Sequence, residues 1–407
     1  MDYVFDFVFV ERMGIAWEST ASKAKWEMAT GVKLSYSLSM NDENTISIYQ
    51  TDYFKNYSNS LVPEIKDSFL QHQKHFDLFA AIFFLLARVE EYDNETFDKH
   101  HRYPSTLSEL SKKKLLGSPV IDIWIEELRH LITTKYDFKG LLPRNYSALS
   151  TIDIDHFYAY KYKPLAVQVG ATVRDLLYLR WGRLIDRLQQ KDPYDTLIEI
   201  MELHRSLGVV PTCFVLTSNR TSFDKNLSPS HPQFVSKIKE LENECEIGIH
   251  PSYYSNQNKS LTREASTLSG LTQKPITKSR HHFLRLSLPD TYASLIKNGI
   301  TDDYTMGYPD QVGFRAGTSQ SFYWYDLEND LQTKLRIHPF CVMDVTLKQY
   351  LKLNPEQAFQ HVQQILVQLK ALRGQFTIIW HNSSFYGREG WVGWKKLYQD
   401  ILKEAFS

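Results

Sequence analysis

The alternation of apolar and polar positions changes its period near residue 145. Before that point, short apolar runs predict strands and longer runs predict helices. The predicted strands lie at residues 3–10 and 45–50, and the predicted helices at 76–92 and 120–134. After residue 145, a short apolar strand, a polar loop and an amphipathic helix follow one another several times, which is typical of a parallel α/β arrangement. We therefore predict an α/β protein with two parts, a smaller α+β N-terminal domain over residues 1–145 and a larger domain over residues 146–407.

The strands of the second part end where polar residues begin. The clearest strands are predicted at 148–155, 209–216, 245–249 and 375–380, with helices at 194–207, 232–242 and 355–372. In α/β sheets and barrels, reactive groups gather at the carboxyl ends of the strands. Asp153 and Asp155, His250, and His381 stand at three of these ends. We expect these residues to meet in one site.

Composition excludes several function classes. The 407 residues carry 47 Lys plus Arg and 47 Asp plus Glu, so bulk charge gives no support to a polyanion-binding role. Hydrophobic residues at 43% and charged residues at 23% exclude a disordered or fibrous chain. Aromatic residues at 14% fit either heavy cores or a groove that stacks on sugar rings. Three cysteines without a Cys-x-x-Cys pair make a disulfide framework or a thiolate zinc site unexpected.

The first residues, MDYVFDFVFV, lack the basic start and small-residue cleavage site of a secretory signal. The longest apolar run, residues 78–87, is half the length that crosses a bilayer. We therefore expect a cytoplasmic protein without a membrane span.

Two carboxylates close the strand Thr151-Ile-Asp153-Ile-Asp155. They share a face if the strand stays extended. A cation bound by one of them would account for two like charges on an apolar strand and would leave the other free as a base. Capping of the following loop would account for them equally well.

Histidines follow two further strands, at His250 and His381. The segment RHHFLR, residues 280–285, adds two imidazoles, and GFRAG, residues 313–317, places a cation between small residues in a turn. A lone histidine is usually structural, but two of them at strand ends together with the Asp pair favour one site.

The order of these motifs resembles the NodB-type polysaccharide deacetylases, carbohydrate esterase family four, and especially a divergent bacterial branch with an uncharacterised N-terminal domain. The resembling segments are Thr151-Ile-Asp153-Ile-Asp155, Pro211-Thr-Cys-Phe-Val-Leu216, the half-motif Gly248-Ile-His250-Pro-Ser252, Gly313-Phe314-Arg315 and Ile379-Trp380-His381. The resemblance covers roughly residues 146–400, and the pieces SRHHFLRL, GFRAGT and WHNSSF make it specific. It implies a distorted (β/α) barrel of the NodB type.

The resemblance also implies a metal-dependent hydrolase that removes N-acetyl, or O-acetyl, groups from a carbohydrate in surface polysaccharide metabolism. By this resemblance, Asp155 and His250 bind Zn²⁺ or another divalent transition metal, and Asp153 is the base. Arg315 holds Asp153, and His381 is the acid. Asp344 is expected to orient His381.

This chain departs from the family at Tyr254, where the family usually has a second zinc histidine. The branch-like RHHFLR segment implies that His282 supplies the missing nitrogen, since alternation would point His281 away from it.

Substrate contacts are expected from Tyr253, Tyr254 and Trp380, while most other aromatics are assigned to cores. Two other classes of protein stay open. One is a catalytically inactive glycan-binding protein that keeps the deacetylase fold, and the other is a glycoside hydrolase that uses Asp153 with a second carboxylate and no metal.

Overall fold

The structure is a computed structural model that describes residues 1–38, 45–55, 57, 62–189, 191–255, 260–387 and 390–407. Its α-helices, numbered in chain order, are α1 (Asp2–Phe5), α2 (Lys23–Met28), α3 (Leu78–Leu86), α4 (Val89–Tyr92), α5 (Glu109–Lys112), α6 (Val120–Tyr136), α7 (Leu165–Leu177), α8 (Trp181–Leu188), α9 (Leu197–Ser206), α10 (Pro232–Leu241), α11 (Leu261–Thr272), α12 (Asp290–Lys297), α13 (Pro355–Leu372) and α14 (Trp394–Ala405). The strands are β1 (Leu34–Ser37), β2 (Ile46–Tyr49), β3 (Ser147–Ile154), β4 (Thr212–Val215), β5 (Glu246–Ile249), β6 (Lys278–Ser279), β7 (Asp302–Asp303), β8 (Phe322–Asp326), β9 (Leu331–Ile337), β10 (Val342–Met343) and β11 (Gln375–His381).

A nine-stranded sheet with the order β10-β11-β3-β4-β5-β6-β7-β9-β8 organises most of the chain after residue 145. All of its pairings are parallel except that of β8 with β9. The mixed α/β class is therefore as predicted. Within the described parts of the chain, no strand pairing joins the edge strands β10 and β8, so the sheet is open there and a closed barrel is not shown.

The central strands are buried runs between helices. All four residues of β4 are buried, and so are the last five of β3. Helix α13 shows how the crossovers are built. Asn354 caps it in a reciprocal pair with Gln357, Pro355 lies in its first turn, and Val362, Leu366 and Leu369 face the core.

The first residues form a helix, and the predicted strand at residues 3–10 is wrong. Helix α1 continues into a π-helical segment, Asp6–Met13. The buried positions are Tyr3, Val4, Phe7, Val8, Phe9 and Met13. This spacing of one, three and four residues is the helical period, and the polar residues Asp2 and Asp6 are four apart on the other side. The run of apolar residues was compatible with both periods.

The residues before β3 pack on the later part of the chain through one continuous apolar core. Helix α3 is buried over its whole length, as expected for a helix that is apolar all round. The turn at Gly313 has φ +130°, and a Cβ there would collide with the carbonyl oxygen of Leu116, whose oxygen also accepts a hydrogen bond from the Phe314 N–H at 2.8 Å. A side chain at position 313 would therefore push the backbone at Leu116 away from this turn. Whether the boundary near residue 145 separates independent domains stays a prediction.

Buried charges join the same two parts. Arg88, between α3 and α4, donates to Glu91 and Glu90 at 2.7 Å each. Arg315 donates to both carboxylate oxygens of Glu91, at 3.0 and 2.5 Å, and packs over the Tyr308 ring. Two guanidinium groups and two carboxylates thus balance each other away from water, where an unpaired charge is strongly destabilising.

No helix in the parts of the chain that the structure describes is both long and apolar enough to cross a bilayer.

Replacing Glu91 with Gln tests the role of this charge cluster. The variant leaves two buried guanidinium groups with one carboxylate, so we expect it to lower the free energy of unfolding by about 3–5 kcal/mol in a urea titration followed by tryptophan fluorescence. The control is Glu27→Gln, because Glu27 pairs with Lys23 on the exposed surface, where a pair contributes about 0–1 kcal/mol. Equal effects of the two variants would show that the cluster does not hold the two parts together.

Candidate active site

Asp155, His250 and His282 converge at the carboxyl end of the sheet. Asp155 follows β3, His250 follows β5, and His282 follows β6. The Nε2 atoms of His250 and His282 lie 3.2 and 3.6 Å from Oδ1 of Asp155. One ligand atom from each residue falls within 4.8 Å of the other two, which is the size of a metal-binding cluster. Both histidines are buried, whereas Asp155 keeps 23% of its side chain exposed, so the cluster faces solvent on that side.

The outer ring nitrogens of both histidines are held by acceptors. Nδ1 of His250 lies 2.5 Å from the carbonyl oxygen of Arg280, and Nδ1 of His282 lies 2.8 Å from Oδ1 of Asp224. Because a carbonyl and a carboxylate only accept, each Nδ1 carries a proton, and in the neutral ring the lone pair is on Nε2. Two lone pairs and a carboxylate oxygen therefore face one another.

This arrangement suits a divalent cation. Oδ1 of Asp155 is buried and has no satisfactory hydrogen bond among the described residues. A cation between the three atoms would satisfy it, and a carboxylate or carbonyl behind each histidine is the usual support of a metal ligand. If no cation is bound, a proton on His282 can balance the charge of Asp155 instead. Burial lowers the pKa of His282, but Asp155 and Asp224 outweigh burial and raise it to about 9.

His381, the last residue of β11, lies on the other side of Asp155. Its Nε2 is 4.0 Å from Oδ2 of Asp155, and its Nδ1 donates to Oδ1 of Asp344 at 2.8 Å. Asp344 follows β10, the neighbouring strand, and its other oxygen accepts the backbone N–H of His381 at 2.9 Å. Both the position and the tautomer of the ring are therefore fixed. Burial lowers the pKa of His381, but Asp344 and Asp155 outweigh it and raise it to about 10.

Asp153 is held by Arg280, and the expected contact with Arg315 is absent. Nη1 of Arg280 donates to Oδ1 of Asp153 and to the Thr151 hydroxyl, at 2.8 Å each. Arg315 instead belongs to the buried charge cluster around Glu91. The structure therefore corrects the assignment of the arginine. The physical reason is that the GFRAGT turn packs against the N-terminal part, whereas Arg280 follows β6 and reaches across the sheet to β3.

Two of the three predicted substrate contacts are closed to a ligand. One face of the Tyr253 ring stacks on Phe223 at 3.8 Å between centroids, and the guanidinium carbon of Arg285 lies 4.3 Å from its centroid. Trp380 is fully buried and stacks on Tyr398, because alternation along β11 turns it away from the side that His381 takes. Both assignments are therefore corrected. Tyr254 is half-buried, and its contact with substrate stays a prediction.

Asp224 and Arg280 were not predicted as parts of the site. Arg280 lies in the RHHFLR segment, and its position directly after a strand was a usable signal. Asp224 lies in a loop after β4, where Oδ1 also accepts the Tyr253 N–H and Oδ2 the Thr221 hydroxyl. Nothing in the sequence around Asp224 distinguishes it from an ordinary turn residue.

A family model matches the first part of the chain. Residues 1–137 match a family model described as a family of unknown function, DUF7033. Curated proteins give no match.

Solved structures to which the chain is similar include polysaccharide deacetylases of the kind that its motifs resemble. One is a protein from Mycobacterium smegmatis assigned as a polysaccharide deacetylase, with 16% identity and a TM-score of 0.41 over 65% of this chain and 85% of that chain. Another is a peptidoglycan N-acetylglucosamine deacetylase, with 13% identity and a TM-score of 0.34 over 65% and 83%. A third is a CE4 family pseudoenzyme from Bacillus anthracis, with 10% identity and a TM-score of 0.32 over 65% and 63%.

Removal of one imidazole tests the ligand set. We expect His282→Ala and His250→Ala each to lose most of the Zn²⁺ that the wild-type protein retains after dialysis, because two ligands hold the ion far more weakly than three. Bound zinc is measured by inductively coupled plasma mass spectrometry. The control is His361→Ala, on the exposed side of α13. Full occupancy in His282→Ala would remove this residue from the set.

The support behind His282 can be tested separately. Asp224→Asn is expected to weaken zinc affinity about 10–100-fold in a competition with a chromogenic chelator, because the ring loses its fixed orientation and basicity. The matched control is Asp302→Asn, which removes another Asp–His contact, that with His338 at 2.7 Å, outside the cluster. If both variants bind zinc as the wild type does, Asp224 does not support a metal ligand.

Proposed function

We propose that this chain is a metal-dependent deacetylase that hydrolyses the N-acetyl group of a glycan. The observation that carries the proposal is the convergence of three ligand atoms, from Asp155, His250 and His282, beside a second carboxylate, Asp153, and a third, separately oriented histidine, His381. The motif resemblance suggests the reaction, and the geometry of these residues supports the roles proposed for them. The residues suit Zn²⁺ or another divalent transition metal.

The cofactor has a defined contribution in this proposal. A divalent ion held by Asp155, His250 and His282 would polarise the acetamide carbonyl and lower the pKa of a water molecule beside it. The remaining steps belong to side chains of this chain.

Asp153 is the proposed base. Its carboxylate is fixed by Arg280 at 2.8 Å, and β3 pairs it in register with His381 on β11. Held in this position, the carboxylate can accept the proton of the attacking water.

His381 is the proposed acid. Hydrolysis of an acetamide forms a carbon–oxygen bond and breaks the carbon–nitrogen bond, and an amine leaves only if it is protonated. The Asp344 carboxylate fixes Nδ1 of His381, so that Nε2 can deliver that proton. The products are acetate and a free amino sugar. Because an alkoxide also leaves more easily with a proton, the same groups suit O-acetyl esters.

The base is tested by Asp153→Asn, which keeps the size of the side chain and removes the charge. We expect about 10²–10⁴-fold slower acetate release with zinc content unchanged. Acetate is measured enzymatically, with free N-acetylglucosamine oligosaccharides, a polyprenyl-linked N-acetylated saccharide and O-acetylated saccharides as substrates. Asp400→Asn, in an exposed pair with Lys396, serves as the control.

Two results would contradict the proposal. Acetate release that survives removal of the metal by a chelator would favour a metal-free hydrolase. Tight glycan binding by a zinc-loaded protein that releases no acetate from any of these substrates would favour an inactive glycan-binding protein.

A further inference from the structure

A cavity of about 470 Å³ opens beside the candidate active site and is lined by cations. Its wall includes His156, the residue after Asp155, and Ser383, two residues after His381. The charged lining consists of one acid, Asp186, and six cations: Lys163, Arg174, Arg183, Arg187, Arg220 and Lys225. In a chain with equal numbers of acidic and basic residues, this is a strong local excess.

Part of this positive charge is not neutralised within the described structure. The side chains of Lys163, Arg174, Arg220 and Lys225 make no hydrogen bond to, and no ion pair within 4 Å of, any residue that the structure describes. Burial and then repulsion from Arg220 outweigh the attraction of Asp192 and lower the pKa of Lys163 to about 8. A cavity that holds mutually repelling cations is suited to bind an anion of two or more charges.

The cavity is roofed by an unusual pair of helices, the α7–α8 hairpin, residues 165–188. Val167, Ala171 and Arg174 of α7, and Arg183 and Arg187 of α8, line the cavity. The opposite side of each helix is apolar and exposed, with Val169, Val173 and Leu176 in α7 and Trp181, Ile185 and Leu188 in α8. In total, ten large apolar side chains of residues 165–188 are exposed.

The charges that the hairpin shows to solvent are all positive. Its two acids, Asp175 and Asp186, are buried. Asp175 joins the helices from inside, with Arg187 at 2.8 Å and with Arg180 and Arg183 at 3.7 Å. Arg174 and Arg180 are at the surface. An apolar helical face that contains Trp and Leu and is flanked by arginines is the pattern of a helix that lies in a lipid–water interface.

From these two observations, we propose that the α7–α8 hairpin lies on an anionic membrane surface and that the cavity behind it binds the phosphate of a lipid-linked glycan. The inference rests on the proposed function for the reaction at the adjacent site, and it names the class of substrate. In this arrangement, the apolar face contacts the membrane lipids and the cations of the cavity bind the phosphate. The sugar then extends past His156 to Asp155. A lipid whose acyl or prenyl part lies on the apolar face and whose phosphate lies in the cavity explains both features. A second copy of the chain on that face would explain only the apolar part and would bring like charges together.

The membrane surface is tested by flotation of the full chain with vesicles of phosphatidylcholine, with and without phosphatidylglycerol. We expect binding to the vesicles that contain phosphatidylglycerol, and a loss of at least about tenfold in the double variant Val173→Asp, Leu177→Asp, since a charge in the acyl boundary opposes burial. Leu177 is 77% exposed, so its replacement leaves the core intact. The matched control is Val367→Asp, on the exposed side of α13.

The cavity is tested with inorganic pyrophosphate by isothermal titration calorimetry. The double variant Arg220→Gln, Lys225→Gln is expected to bind pyrophosphate at least about tenfold more weakly, because two of the unpaired charges are lost. The hairpin variant is expected to bind it as the wild type does. Equal affinity in the Arg220 and Lys225 variant, or no binding by the wild type, would overturn the phosphate site.

The outcomes separate this inference from the proposed function. Absence of vesicle binding by the wild type, or equal binding by the hairpin variant, overturns the membrane surface. The membrane surface is also overturned if light scattering shows that the wild type is a dimer and that the Val173→Asp, Leu177→Asp variant is a monomer. Asp153→Asn is expected to keep both vesicle and pyrophosphate binding, so a failure to release acetate leaves these two results intact.

Discussion

The parallel pairing of β11, β3, β4 and β5 is the constraint on which the rest of the structure depends. It sets Asp153 opposite His381 and carries the register across β4 to β5, so that the chain leaves all these strands at the same edge. Gly248 in β5 shows how tight this arrangement is, because a Cβ there would meet the Phe214 ring on β4 at 2.7 Å. A shift of one residue in any of these pairs would turn His250 or His381 away from Asp155.

Each reactive side chain at that edge is fixed by a group from a different element. His250 is held by a backbone carbonyl after β6, His282 by Asp224 from the loop after β4, and His381 by Asp344 after β10. All three supports act on Nδ1 and leave Nε2 directed at Asp155. Flexible loops would not keep this geometry. Arg280 and Asp344, however, directly follow strands, and Asp224 accepts hydrogen bonds at both of its carboxylate oxygens.

The sequence predicts this site better than it predicts the surroundings. Strand ends can be located from short apolar runs, so Asp155, His250 and His381 could be assigned to one edge, and the motif resemblance added His282 and Asp344. Long-range contacts leave no such trace. The partner of Asp153 is Arg280 because β6 lies three strands from β3 in the sheet, and the sequence does not give that order. Burial of Tyr253 between Phe223 and Arg285 is another such long-range contact. The helix Asp2–Phe5 formed from an apolar run that either of two periods allowed.

The displacement of Arg315 from the site to Glu91 has a consequence for how the two parts of the chain work together. The GFRAGT turn resembles a catalytic motif, yet its guanidinium neutralises a carboxylate of the N-terminal part, and its Gly313 gives room to Leu116. A motif kept for catalysis would be expected to face the sheet edge. Here it joins the N-terminal part to the loops beside β9 and β10, and Asp344, which orients His381, directly follows β10. The N-terminal part also contacts the segment that follows His282, where Arg102 donates to the carbonyl oxygen of Phe283 at 2.8 Å, whereas the α7–α8 hairpin shares a cavity with His156. In the proposed arrangement, substrate enters beside the α7–α8 hairpin, a segment that makes none of these supporting contacts, so the hairpin can expose its apolar surface without disturbing the fixed geometry of the site.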